Sequence, residues 1–407
     1  MESRRKNTTK WLYGMPFISG LVYRFTTMLF GLLMTVFWRS RIKNLECIPK
    51  EEPFLLLPNH ASMLDPFWVG VPLPRGVRSM ASAGLLRLPV VGTFLKMCGC
   101  FPKMKYTRDK GAMENMQRFY DEGYAILIFP EGNRCWNGET QVIGPGIGRL
   151  IKRMQCQVVY ARLNTAYLVK PRWAKYSRSI PVEIEYDGPY TYDADMSVEA
   201  LTAEVQEKLT VVPHLSEPAK VKGKKMAVGL PQYLWACPNC FTLESLKVQK
   251  ANKNAVACSS CAAEWEVDVF CNLHGHSEIS VADAFRAIEN HYTVPPVEDA
   301  TVLEATGVAL EASFAELLFI PRGGKPKNIA SGRLILNRDG LRVVGEADDV
   351  LWSSSLEEIR GISIEVANML HFRMGEELFR VNVPGHSPLK WDYFLRKWRL
   401  HLVGSER

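Results

Sequence analysis

Between residues 54 and about 215, short apolar runs rich in β-branched and aromatic residues alternate with stretches whose apolar positions recur at helical spacing. FLLLP, RSMAS, YAILIFP, QVVYARL and VEIEY read as strands, and GTFLKMCGC and GAMENMQRFYDEG read as helices. That alternation predicts an α/β domain with a mixed, largely parallel sheet flanked by helices. The domain closes with SVEALTAEVQEKLT, an amphipathic helix started by Ser197; Ala200 stands where a capping box would need an acid.

Upstream, Phe25–Trp38 (FTTMLFGLLMTVFW) is apolar for fourteen residues and is bracketed by Arg24 and Arg39. A spanning helix needs roughly 20 residues, so the pattern predicts a helix lying on or dipping into a membrane. A buried core helix and a full span over residues 11–38 are the alternatives. No small-residue cleavage site follows, which argues against a cleaved signal peptide.

Beyond residue 215 the pattern changes twice. Residues 216–229 are polar and basic, as in a linker, and a cysteine-bearing module occupies 230–272. A linking helix over 278–296 starts at Ser280 and ends near the Pro295-Pro296 pair. From 310 to 404 short strands follow one another, with an Asp-Gly turn inside GRLILNRDGLRVV. They end in SPLKWDYFLRKWRLHLV, where Leu389, Tyr393, Leu395, Trp398 and Leu402 share one helix face. This predicts a small barrel or curled sheet plugged by one helix.

A chain of 407 residues has room for two or three domains, and 10 Trp, 14 Tyr and 18 Phe supply sizeable cores. The net charge of +7 is unevenly placed. Residues 1–45 carry eight Lys/Arg (Arg4, Arg5, Lys6, Lys10, Arg24, Arg39, Arg41, Lys43) against Glu2 alone. Cations flanking an apolar stretch suit an anionic membrane surface better than a nucleic-acid groove. Residues 1–45 are therefore expected to be membrane-associating helices, with the α/β domain over 46–215.

Candidate chemistry sits where apolar runs end. FLLLP runs into Asn59-His60, and Asp65 follows five residues after the histidine. In open α/β sheets ligands bind at the carboxyl ends of strands. If the chain turns there, Asp65 can hold one ring nitrogen and leave the other as a base for a substrate hydroxyl. YAILI runs likewise into FPEGNR, which places Glu131, Gly132 and Arg134 on a turn beside the same edge. Arg134 offers a planar fork suited to phosphate. Between the two lies GCFPKMKYTRDKG, where Lys103, Lys105, Arg108 and Lys110 could wall an anionic headgroup.

These blocks resemble the glycerolphosphate and lysophospholipid acyltransferase family: NHASMLD is similar to its N-H-x4-D motif and FPEGNR to its F-P-E-G-T-R block. The likeness covers roughly residues 20–215, and YARLNTAYLVKPRW looks like the family's later hydrophobic block. Asn133 stands where threonine is common and Cys135 where serine is. The resemblance implies transfer of a fatty acyl group from acyl-CoA or acyl carrier protein to the hydroxyl of a lysophospholipid, 1-acylglycerol-3-phosphate first among them. His60 would be the general base and Asp65 its orienter. Glu131, Gly132 and Arg134 would position the acceptor, with Arg134, Lys105 and Arg108 meeting its phosphate. The implied location is the cytoplasmic face of a membrane. The alternative is a catalytically inactive acyltransferase-like scaffold that binds lipid.

CPNC (Cys237, Cys240) and CSSC (Cys258, Cys261) are 17 residues apart, the spacing of a four-thiolate Zn²⁺ site. The module resembles a zinc ribbon, closed and structural, and implies a reducing compartment. Cys271, His274 and His276 lie near but read as surface or structural groups. No aromatic-basic stripe supports nucleic-acid binding. Residues 310–404 resemble a PH-like domain in pattern, which implies a lipid headgroup or a protein partner.

Overall fold

The computed structural model describes residues 16–104, 109–293, 296–321, 325–364 and 369–403. The chain divides into two compact units, Met1–Lys224 and Lys225–Arg407.

The first unit is built on β1 (Arg41–Lys43), β2 (Phe54–Pro58), β3 (Val77–Ser82), β4 (Phe101–Lys103), β5 (Ala125–Leu127), β6 (Gln157–Leu163) and β7 (Glu183–Tyr190). These form one sheet in the order β1-β7-β6-β2-β5-β3-β4. Among its pairings β6–β7 is antiparallel and the rest are parallel. Parallel neighbours need crossovers, and helices α2 (Asp65–Gly70), α3 (Pro89–Met97), α4 (Lys110–Asp121) and α5 (Gly146–Met154) supply them. A strand covered on both faces has no polar side, which explains why FLLLP is a continuous apolar run, buried at all five positions.

Leu55, Leu57, Val158 and Tyr160 pack against Ile147, Leu150 and Ile151 of α5 and Leu201, Val205 and Leu209 of α6 (Val198–Leu209). Burying a Leu fully is worth about 2 kcal/mol. Helix α5 is absent from the sequence expectation, because its glycines mask the spacing of Ile147, Leu150 and Ile151. The structure explains one of them: a Cβ at Gly148 would lie 2.4 Å from the Val198 carbonyl oxygen. The Ser197 hydroxyl accepts from Ala200 N–H and caps α6 as predicted.

Helix α1 spans Pro16–Val36, longer than the predicted apolar run. Phe30 stacks on Phe67 of α2 at 4.3 Å, and Thr26 and Met34 are buried. Leu21, Phe25, Met28, Leu32 and Val36 form an exposed stripe along the other face. Among the described residues no helix is long and apolar enough to cross a membrane. Two cations expected to flank the helix are used elsewhere: Arg39 donates to the Ser179 carbonyl, and Arg41 pairs with Glu183 at 2.9 Å on the sheet edge. Arg4, Arg5, Lys6 and Lys10 lie outside the described residues.

The second unit contains two antiparallel sheets. The smaller comprises β8 (Leu246–Val248), β9 (Ala255–Cys258), β10 (Glu264–Val267), β11 (Asn272–Gly275) and β12 (Ile279–Ser280), paired in sequence order. Helix α7 (Val281–His291) follows, capped by the Ser280 hydroxyl, which accepts from Asp283 N–H at 3.0 Å. The larger sheet comprises β13 (Val308–Ile320), β14 (Lys327–Asn337), β15 (Leu341–Val344), β16 (Val350–Ser354), β17 (Ile359–Ile364), β18 (Leu370–Met374) and β19 (Glu377–Asn382), in the order β16-β15-β14-β13-β19-β18-β17. The predicted turn closes β14–β15: the Asn337 side-chain oxygen accepts from the Asp339 and Gly340 amides, each at 3.0 Å.

Helix α8 (Pro388–Val403) buries Leu389, Tyr393, Leu395 and Trp398 as expected, and Trp391 and Phe394 besides. Leu402 is exposed along with Leu400 and His401, because packing of the helix ends at Trp398 and Arg399. Helix α8 is tied to β17 by Arg399, whose Nε donates to the Ile359 carbonyl at 2.7 Å. Glu244, just after the first cysteine pair, ties its start to the smaller sheet: the carboxylate meets His386 Nδ1 at 2.7 Å, Ser387 N–H at 2.8 Å and the buried Lys390 at 3.0 Å.

Candidate active site

Strands β2 and β5 are adjacent and parallel, with Leu55 opposite Ile126 and Leu56 opposite Leu127. Both motifs therefore leave the sheet at one edge. Past β2, the Asn59 side-chain oxygen accepts Leu163 N–H at 2.7 Å, which pins the turn to β6. The chain then folds back on Asp65. This carboxylate is fully buried, and one oxygen, Oδ2, accepts Ala61 N–H at 2.7 Å, Ser62 N–H at 2.8 Å and His60 Nδ1–H at 2.8 Å. With Nδ1 donating to the carboxylate, Nε2 is the basic atom of the ring.

The segment after β5 grips the same histidine from three further sides. The Phe129 ring stacks on the imidazole with centroids 4.0 Å apart. Glu131 Oε1 accepts His60 N–H at 2.5 Å, and Oε2 accepts Gln141 N–H at 2.7 Å. Cys135 N–H donates to the His60 carbonyl at 2.9 Å. Gly132 makes the turn between them with φ of 71°, a conformation that favours glycine. Burial pushes the Glu131 carboxyl up to about 8, against the pull of its two amide donors. Burial likewise lowers the Arg134 guanidinium, and the Asp65 charge draws it back up; Arg134 is next in the chain to Cys135, whose N–H holds the His60 carbonyl.

The structure thus brings His60, Asp65, Glu131, Gly132 and Arg134 together. Lys105 and Arg108 lie outside the described residues. Of their neighbours, half-buried Lys103 donates to the Met104 carbonyl, and exposed Lys110 lies 3.7 Å from Glu114. Sequence reasoning missed the holding parts played by Asn59, Phe129, Cys135 and Gln141. The first three flank quoted motif residues and could have been suspected; Gln141 carries no signal of spacing or type.

In the second unit, the Sγ atoms of Cys237, Cys240, Cys258 and Cys261 all lie within 4.8 Å of one another, with Cys237–Cys261 at 3.8 Å and Cys240–Cys258 at 3.7 Å. Zinc–sulfur bonds of about 2.3 Å give tetrahedral edges of about 3.8 Å, so the four thiols fit Zn²⁺. Backbone amides of Asn239, Ser260 and Cys261 point at Sγ atoms at 3.4 Å, favouring thiolates. Four protein ligands fill a tetrahedron. His274 is held between the carboxylates of Asp268 and Glu278.

Residues 39–162 match the family model for acyltransferases. The chain is 26% identical over 137 residues to the 1-acyl-sn-glycerol-3-phosphate acyltransferase of Saccharomyces cerevisiae, covering 31% of this chain and 44% of that protein. It is 31% identical over 115 residues to the enzyme of that name from Borreliella burgdorferi, covering 27% and 46%. The same name belongs to a Bacillus subtilis relative, 25% identical over 114 residues, covering 28% and 57%. The chain spans about half the length of these relatives. A crystal structure of the 1-acyl-sn-glycerophosphate acyltransferase of Thermotoga maritima aligns with a TM-score of 0.39 and 18% identity, over 46% of this chain and 77% of that one.

Proposed function

We propose that the first unit is an O-acyltransferase that moves a fatty acyl group from an acyl thioester, acyl-CoA or acyl carrier protein, to the hydroxyl of a lysophospholipid, with 1-acylglycerol-3-phosphate as the acceptor. The observation that carries this reading is the His60–Asp65 pair at 2.8 Å, clamped by the 129–135 segment at the carboxyl end of the sheet. Nε2 of His60 takes the hydroxyl proton as the oxygen attacks the thioester carbonyl. The tetrahedral intermediate then expels the thiolate, which receives that proton from the imidazolium. Asp65 stabilises the imidazolium in between. Transfer is direct, so no acyl-enzyme forms.

Glu131 acts in this scheme through the backbone of His60, and Gly132 shapes the turn that lets it do so. Arg134, with Lys105 and Arg108, meets the acceptor's phosphate. The exposed stripe of α1 seats the enzyme on the cytoplasmic face of a membrane, where the acceptor resides. Cys237, Cys240, Cys258 and Cys261 hold a structural Zn²⁺ as a zinc ribbon. The larger sheet with α8 serves as a PH-like domain for a lipid headgroup or a protein partner.

The deciding experiment is His60→Ala assayed with lysolipid acceptors and both donor types in vesicles. Transfer should vanish while vesicle binding and thermal unfolding stay as in the parent chain. Undiminished turnover by the variant rules the reading out.

A further inference from the structure

Arg172 stands 38 residues from the loop it touches and outside the two motifs that carry the proposed chemistry. It sits on a turn closed by Ala174 N–H to the Pro171 carbonyl at 2.9 Å. The next residue, Trp173, is buried, and its indole N–H lies 3.1 Å from the Tyr167 hydroxyl. Tyr167 also packs on Gly138, where a Cβ would come within 2.6 Å of its ring. The turn and the loop after β5 therefore form one packed body.

From that turn Arg172 holds the loop at two points. Its guanidinium lies 4.0 Å over the Trp136 ring, and Nη1 donates to the Arg134 carbonyl at 2.9 Å. These points flank Cys135, whose N–H holds the His60 carbonyl. An arginine side chain is long, so where its fork lands depends on how firmly its own peptide is fixed. A planar cation suits this double hold, since it can stack and donate in its plane at once, which an ammonium cannot.

Resting on the acyltransferase reading above, we propose that Arg172 is a positioning residue for acceptor recognition, fixing the Arg134 peptide so that the Arg134 guanidinium faces the acceptor's phosphate. The test uses the full chain with 1-acylglycerol-3-phosphate as acceptor and, separately, calorimetric binding of that lipid in detergent micelles. Arg172→Gln should raise the acceptor KM and weaken binding about tenfold. Its kcat should stay within about threefold of the parent's, and the donor KM should not move. Arg172→Lys should rescue only partly. Trp136→Ala, which removes the stacking face but spares the hydrogen bond, should raise the acceptor KM about threefold. Arg172→Gln should add nothing to Arg134→Ala, because the two act as one unit.

Unchanged acceptor KM and affinity in both Arg172 variants would overturn the inference. So would a fall in kcat alone, which is what a merely structural role produces, or full rescue by lysine. A parent chain that binds the lipid without transferring acyl groups would refute the catalytic reading, while the binding arm still judges Arg172. A parent chain that fails to bind it overturns both.

Discussion

Glu131 Oε1 accepts the backbone N–H of His60 at 2.5 Å across 71 residues of sequence. The contact goes to the histidine's main chain, so it fixes where the imidazole starts rather than what it touches. Glu131→Ala would leave the amides of His60 and Gln141 without this acceptor and free the turn that carries His60. With the base displaced by about an ångström, kcat should fall roughly a hundredfold, and single-turnover transfer rates measure it. A variant within threefold of the parent would show that the brace is dispensable.

The same carboxyl supplies a pH signature. Its folded-state value, about 8, lies above the ordinary 4.5, so the folded chain binds this proton more tightly than the unfolded chain does. The stability it lends is complete below about pH 4.5 and is lost as pH rises through about 8. Thermal unfolding of the parent, compared with Glu131→Gln at each pH, should show the parent's relative stability declining between pH 5 and 9. A difference that stays flat or grows over that range contradicts this.

Asp65→Asn keeps an oxygen for the Ala61 and Ser62 amides and for His60 Nδ1–H, but removes the negative charge that stabilises the imidazolium. The loss in kcat should be roughly 10³–10⁴-fold, by the logic of an orienting carboxylate, with acceptor KM little altered. Steady-state kinetics near neutral pH distinguishes this from a loss of fold, which would lower the unfolding temperature as well.

Cys237→Ser should release one zinc per chain and destabilise the second unit. Glu244, four residues past Cys240, ties that cysteine turn to the start of α8, so disorder there should reach the helix. Elemental analysis reads the metal, and hydrogen exchange at residues 388–403 reads the spread. A metal-free parent with full stability would contradict the assignment.

Phe25 and Met28 are 60% and 68% exposed on the outward stripe of α1. Replacing both with Asp should cut partitioning into anionic vesicles by at least about a hundredfold, since burying each side chain is worth about 1.5–3 kcal/mol. Sedimentation with vesicles tests it; unchanged partitioning would rule out the outward stripe of α1 as a membrane-contacting surface.

The strands and both motifs were legible because each is a local signal: a short apolar run, then a polar turn bearing one functional side chain. What escaped is mostly non-local. Glu131 reads naturally as an acceptor-binding carboxylate, yet its oxygens are given to the amides of His60 and Gln141. No spacing rule reports that, because it depends on which strands become neighbours. β1 escaped for a similar reason: three residues, Arg41–Lys43, make a strand only because β7 offers them an edge. Within the four-cysteine module, spacing was enough, since two short turns determine the tetrahedron almost alone.

The pairing of Leu55 with Ile126 and Leu56 with Leu127 makes the site a matter of alignment between two rails. Slipping one rail by a single residue would carry its motif about 3.3 Å along and turn its side chains to the opposite face. A deletion inside the three residues of β5 would disassemble the site while leaving every one of its chemical groups in the chain.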